Sequence, residues 1–417
     1  MKKLLSFYCA WALLSVASLA ATQPNIVVII SDDHGFADYG FMGHPVIQTP
    51  HLDQLSDESL LFSRGYVTTA LCSPSLATMV TGLYPHQHGT TGNDPVKGKN
   101  RKDWIDRFGN LPQLPALLGE QGYLSLHTGK YWHGDPAVSG FTDSMGATQR
   151  HGSKASLGIG RDGMQPIYDF IDKAQTESKP FLVWYAPFLP HTPHNPPQRL
   201  LEKYQAAGHR AKYYAMVEWL DETCGQLLDY LDEKELSEDT MVFYICDNGW
   251  PGSAKNTPNE QGIRTPIMIK WPGQVRANRD DTHLASNIDL APTILTACGL
   301  EPTPAMPGIN LLDNEAVSRR TALFAENYFP DMASADKPAN SLRARSCVTV
   351  DWKLTVWQDP QPNLPMARWM TPASKDPVEL FHLKEDPLEK KNLAGEHPDK
   401  VAEMTAQLDA WWNPEVN

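Results

Sequence analysis

Apolar positions follow two rhythms along this chain. In some short runs nearly every residue is apolar, as in strands buried on both faces. These are Asn25–Ile30 (NIVVII), Tyr123–His127, Phe181–Tyr185, Met241–Cys246 and Ile267–Trp271. Elsewhere apolar residues return every three or four positions, which is helical spacing. Pro50–Leu61 reads as a helix with Leu52, Leu55 and Ser59 on one face. A long helix is expected over about Arg210–Leu231, where Val217, Leu220, Cys224, Leu227 and Leu231 share a face, which makes Cys224 a core residue. Ile288–Cys298 reads as a further helix, closed by Gly299. Strands that alternate with helices predict an α/β fold built on a large, mostly parallel sheet.

The rhythm changes after the proline-rich stretch Glu301–Gly308. Arg345–Trp357 reads as two short strands around Asp351-Trp352, and His397–Trp412 as a terminal helix. The expected organisation is a leader over residues 1–20, a large domain over 21–312 and a smaller C-terminal subdomain over 313–417.

Two of the apolar runs end alike. NIVVII leads into Ser31-Asp32-Asp33-His34-Gly35, and MVFYIC into Asp247-Asn248-Gly249. Ligands of open parallel sheets gather at the carboxyl ends of strands. Asp32, Asp33, Asp247 and Asn248 can therefore meet at one point, and an all-oxygen set suits a hard cation such as Ca²⁺ or Mg²⁺. The competing reading is that Asp-Gly and Asn-Gly are turn residues only. The same kind of end follows two buried strands, and this favours metal.

The segment ALCSPSLATMVTGLYPHQHG places Cys72 just before Ser73-Pro74 and the helical run Ser75–Thr81, closed by Gly82. Ser73 is a good N-cap and Pro74 a good first helical residue. Cys72 is thus expected at a helix N-terminus, where anions are favoured.

Composition narrows the compartment and the partners. Lys2 and Lys3, an apolar stretch and Ser18-Leu19-Ala20 form the pattern of a secretory leader in a chain of 417 residues. Its removal takes the formal net charge from −13 to −15, a poor balance for nucleic-acid binding. No later run is apolar enough for a membrane span, so an exported, periplasmic or extracellular protein is expected. Cys9 leaves with the leader. The five remaining cysteines (Cys72, Cys224, Cys246, Cys298, Cys347) show no C-x-x-C, which argues against a zinc cage, and their odd number leaves one unpaired within the chain.

Eight motifs together resemble the type I sulfatases. In chain order with the Cys72 segment they are PNIVVIISDDHG, TPHLDQLSDESLLF, TGLYPHQHG, TGKYWHG, PFLPHTPH, CDNG, GIRTPIMIKWPG and ELFHLKEDPLEKKNLA, from about Gln23 to Leu393. The resemblance implies an alkaline-phosphatase-like α/β fold with a smaller C-terminal α+β subdomain carrying an antiparallel sheet. It implies hydrolysis of a sulfate ester, on a sulfated small molecule or glycan. It also implies that Cys72 is oxidised to formylglycine (3-oxoalanine) by a formylglycine-generating enzyme. Asp32, Asp33, Asp247 and Asn248 then match the metal ligands, usually for Ca²⁺, with residue 72 contributing its modified side chain. Lys130 and Lys255 match two sulfate-binding lysines, and His191 a histidine near the leaving-group oxygen. The family's Cys-x-Pro-x-Arg has Leu76 in place of arginine, and His133 lies one residue later than the family's histidine.

Two other readings remain at this point: a phosphate or phosphonate ester hydrolase on the same scaffold, and an inactive relative that binds sulfated glycans. Trp132 and Trp250 adjoin site motifs and are the candidate pocket walls, whereas Trp104 reads as core. Arg264 reads as a loop brace, Lys97, Lys99, Arg101 and Lys102 as a solvated loop, and His86 and His88 as turn residues or neighbours of the site. Loops Val138–Gly163 and Pro330–Ser341 are expected to shape substrate choice.

Overall fold

The computed structural model describes residues 23–147, 151–251, 253–358 and 374–415. Residues 1–20, the expected leader, lie outside the described residues. The strands, in chain order, are β1 (Asn25–Ser31), β2 (Leu60–Tyr66), β3 (Asp94–Pro95), β4 (Leu124–Gly129), β5 (Asp143–Ser144), β6 (Phe181–Ala186), β7 (Thr240–Cys246), β8 (Arg264–Lys270), β9 (Asn278–Asp280) and β10 (Ala285–Ser286). The later ones are β11 (Leu323–Tyr328), β12 (Asp331–Met332), β13 (Leu342–Val348), β14 (Trp352–Trp357) and β15 (Val378–His382).

Nine strands form the main sheet, in the order β10-β2-β8-β7-β1-β6-β4-β5 with β9 beside β2. Its pairs are parallel except where β8 meets β2 and β7. The central strands are buried along their whole length because both faces carry helices, hence their unbroken apolar sequences. One face packs on Ile26, Val28 and Ile30, and the other on Val27 and Ile29. A separate antiparallel sheet, β11-β13-β14-β15, carries the C-terminal helix Pro398–Trp411. Cys347, Leu354, Leu380, Met404 and Leu408 form the small core between them.

Several boundaries differ from the expectation. Helix α1 stops at Asp57 rather than Leu61 (Pro50–Asp57), because Leu60 and Leu61 belong to β2. Its N-terminus lacks a local side-chain cap. Asp221, from the long helix Ala211–Glu233, accepts the amides of Leu52 at 2.7 Å and His51 at 3.3 Å instead. Helix α2 spans Cys72–Thr81 with Leu71 as N-cap, so Cys72 is its first residue and Ser73 is not the cap. Gly82 closes it at φ 66°. Asp351 lies in the turn before β14, but Trp352 opens that strand.

Candidate functional site

The register of two parallel strands builds the centre of the site. Ser31 of β1 lies beside Cys246 of β7, so the next residues, Asp32 and Asp247, leave the sheet side by side. The backbone of Asp33 takes φ 60°, which turns its amide onto Asp247 Oδ1 at 3.2 Å. Asn248 Nδ2 donates to Asp33 Oδ1 at 2.7 Å. Cys72 arrives from α2, and its Sγ lies 3.9 Å from Asp32 Oδ1. Ligand atoms of Asp32, Asp33, Cys72 and Asp247 all fall within 4.8 Å of one another.

Two lysines meet these carboxylates. Lys130 follows β4, where Gly129 approaches Ala186 so closely that a Cβ would lie 1.6 Å from the Ala186 carbonyl oxygen. Only glycine fits there, and the approach delivers the buried Lys130 ammonium to 2.5 Å from Asp32 Oδ2 and 3.3 Å from Cys72 Sγ. Lys255 Nζ grips both oxygens of Asp33, at 2.6 and 2.9 Å. Burial opposes ionisation of Asp33, yet Lys255, His191 and Lys130 hold it well below the usual carboxylate range. Burial and the charge of Asp32 push Asp247 well up. Burial also pushes the Cys72 thiol up to about 12, against the pull of Lys130 and Lys255. As a thiol it stays protonated at neutral pH and is a poor nucleophile.

His191 stands at the mouth, with Nε2 3.4 Å from Asp33 Oδ2. Burial and the Lys130 charge lower its pKa. Phe188 stacks on the His191 ring at 4.3 Å and covers Lys130 at 5.1 Å, while Trp132 covers Lys130 from 5.3 Å. The loop is tied to the sheet by the Asp32 amide, which donates to Leu189 at 2.9 Å. Arg161 holds the same loop from outside. Its guanidinium donates to the carbonyls of Phe188, His191 at 2.9 Å and Pro193 at 3.3 Å, and to Asn195. The sequence carried no signal for Arg161, since its role depends on the folded path of the loop. Phe188 adjoins the PHTPH motif, but nothing local marks its contact with Lys130.

His133 sits differently from the other candidates. It stacks on Phe108 at 3.8 Å and is held by the Ser73 backbone, one residue beyond Cys72. Burial and Arg101 push its pKa down to about 3. Leu76 packs in the main core. His86 pairs with Glu326 and stacks on Trp412, and buried His88 bonds Thr78, so both brace the structure around α2. Arg264 braces the Ser63 carbonyl. Trp104 packs with Met332 and Ala335. Lys97, Lys99 and Lys102 are exposed, and Arg101 pairs with Asp94. All five described cysteines are free thiols.

The donor set fits a hard cation. Asp247 Oδ2 and Asn248 Oδ1 are buried with no hydrogen-bond donor, and Asp32 Oδ2 has only the charge of Lys130 beside it. Buried acceptors are rarely left so; Asp32 and Asp247 converge with Asp33, and Asn248 adjoins them through its bond to Asp33, which makes an oxygen-lined cradle.

A sheet of this topology with this cradle at its strand ends defines a hydrolase of the alkaline-phosphatase-like fold. The profile of the Sulfatase family matches residues 24–300, and that of the N-sulphoglucosamine sulphohydrolase C-terminal region matches 253–413. The chain belongs to the sulfatase family, whose members are sulfuric ester hydrolases. It is 30% identical to N-acetylgalactosamine-6-sulfatase of Sus scrofa, over 72% of this chain and 68% of that one. Arylsulfatase A of Homo sapiens is 27% identical over 95% and 90%. A ulvan-active sulfatase of Formosa agariphila is 25% identical over 93% and 74%. Among solved structures, a complex with D-glucosamine-2-N,6-O-disulfate as substrate superposes with a TM-score of 0.72 at 19% identity, over 94% of this chain and 98% of that one. A phosphonate monoester hydrolase of Agrobacterium radiobacter shares the fold at 0.67 and 18%, over 93% and 95%.

Proposed function

We propose that this protein is an exported sulfatase that removes sulfate from a carbohydrate, using a formylglycine made from Cys72 and one Ca²⁺ held by Asp32, Asp33, Asp247 and Asn248. The observation that carries the reading is the convergence of residue 72, the buried Lys130, the part-buried Lys255 and an oxygen cradle with unfilled acceptors at the ends of β1 and β7. The names of the relatives, which act on N-acetylgalactosamine 6-sulfate or ulvan, support a carbohydrate substrate. The leader pattern supports export, and among the described residues no helix is long and apolar enough to cross a membrane.

The metal would polarise an oxygen and neutralise charge, and the formylglycine would supply a hydrated aldehyde that an unmodified thiol cannot. The chain's own groups do the rest. Lys130, fixed between Asp32 and residue 72, offers its charge to the sulfuryl oxygens from one side. Lys255 offers a second cation from the Asp33 side. Both are aimed before substrate arrives, which is what makes electrostatic stabilisation effective. His191, whose Nε2 lies 3.4 Å from Asp33 Oδ2, is the group on this loop that would give the leaving alcohol its proton. Phe188 and Trp132 keep water from Lys130. The net reaction adds water across the S–O bond and yields an alcohol, sulfate and a proton.

Matched sulfate and phosphate esters of 4-nitrophenol test the reading. The matured protein should turn over the sulfate ester with the higher kcat/KM. A preference for the phosphate ester would move the phosphohydrolase reading to first place, and turnover of neither would favour a binding protein.

A further inference from the structure

A cleft of about 440 Å³ opens immediately beyond the two ligand-bearing strand ends. Gly35, two residues past Asp33, and Trp250, two residues past Asn248, both line it. So does His194, three residues past His191 on the same loop. The cleft thus adjoins the site, and a substrate whose ester bond lies beside His191 has it as a neighbour. Its volume falls in the usual range for small-molecule sites.

The lining has two kinds of surface. Trp250 and Tyr213 form an aromatic wall, with ring centres 5.8 Å apart and planes 31° apart, and His194 closes it at 6.1 Å from Trp250. Such a wall suits the flat apolar face of a pyranose ring. At the rim stands the exposed guanidinium of Arg210, which spends one long hydrogen bond of 3.4 Å on Tyr214. His209 lines the rim beside it. The carboxylate in the lining is Asp38, which accepts from Tyr213 at 2.9 Å, lies 3.8 Å from His44 and feels the charge of Arg210 as well. In a chain of net charge −13, Arg210 sets an exposed cation at the rim of an aromatic cleft beside the site.

Resting on the sulfatase reading, we infer that this cleft is a subsite for the sugar next to the sulfated one, and that Arg210 selects a neighbour bearing an anionic group, a carboxylate or a second sulfate. The planar guanidinium matches either group with paired N–H donors. Trp250 carries the ring and Arg210 reads its charge.

The test uses the full, matured chain and 4-nitrophenyl sulfate turnover. Three disaccharides serve as inhibitors, all carrying 6-sulfated N-acetylgalactosamine. Its neighbour is glucuronate in the first, sulfated galactose in the second and glucose in the third. The wild type should bind the two anionic disaccharides about tenfold more tightly than the neutral one, roughly 1.4 kcal/mol. Which of the two binds more tightly tells carboxylate from sulfate. In Arg210→Ala the preference should fall to near one, Arg210→Lys should keep part of it, and Arg210→Glu should reverse it. Equal inhibition by all three in the wild type, or an unchanged preference in Arg210→Ala, overturns the inference. Failure of the wild type to hydrolyse 4-nitrophenyl sulfate overturns the sulfatase reading instead.

Discussion

Asp247 and Asp289 are both buried aspartates, and their surroundings differ in one respect. Asp289 has every oxygen occupied: Oδ1 accepts from the Ile309 amide at 2.9 Å and Arg320 at 2.6 Å, and Oδ2 from the Ser286 amide at 2.8 Å and Arg320 at 2.5 Å. Asp247 has one amide on Oδ1, nothing on Oδ2, and two further carboxylates beside it. A saturated buried carboxylate has a structural task, here tying the segment that leads into the C-terminal sheet to the loop and helix around Ser286 and Ile309. An unsaturated one among like charges waits for a ligand. Burial and charge alone do not separate the two cases; the count of satisfied acceptors does.

The sharpest way to break the comparison is to remove each carboxylate's function in turn. Asp247→Asn should lower kcat/KM on a sulfate ester by about 10³-fold. In chelator it should melt at or above the wild type, since a like charge has gone. It should also lose the rise in melting temperature that Ca²⁺ gives the wild type. An equal calcium-dependent rise in both proteins would sink the ligand assignment. Arg320→Ala should do the opposite: a loss of about 3–5 kcal/mol in denaturant unfolding, because Asp289 is left buried without its cation. The surviving folded protein should keep most of its activity. A loss below about 1 kcal/mol would show that the two amides suffice for Asp289.

A smaller effect is expected at Arg161, which touches no reacting atom but holds three carbonyls around His191. Arg161→Ala should lower kcat about tenfold with little change in KM, and Arg161→Lys should recover part of it. A change confined to KM would mean that Arg161 meets the substrate itself.

Much of the site was legible because it lies where strands stop. The runs NIVVII and MVFYIC are unambiguous, and their acidic ends fix Asp32 and Asp247 once the strands pair in register. The main sheet was readable for the same reason. β2 was hidden because its first residues, Leu60 and Leu61, continue the apolar pattern of α1. β11 and β15 were hidden because each mixes polar and apolar residues over a short run, LFAENY and VELFH, with no clean alternation. The N-cap of α2 moved from Ser73 to Leu71 because backbone geometry, not side-chain preference, starts that helix. Asp221 at the head of α1, Arg161 on the His191 loop and Arg320 on Asp289 act across 30 to 170 positions of sequence, and no local pattern encodes such partners. His133 was matched by motif order, but its ring is spent on Phe108 and the Ser73 backbone.

The central claim is that residue 72 acts as formylglycine despite Leu76 in the position of the motif arginine. The direct measurement is peptide mass spectrometry across Cys72 on protein that hydrolyses a sulfate ester, taken from its native host. The account predicts the aldehyde in place of the thiol, in proportion to activity across preparations. Full activity with an unmodified Cys72 thiol would contradict it.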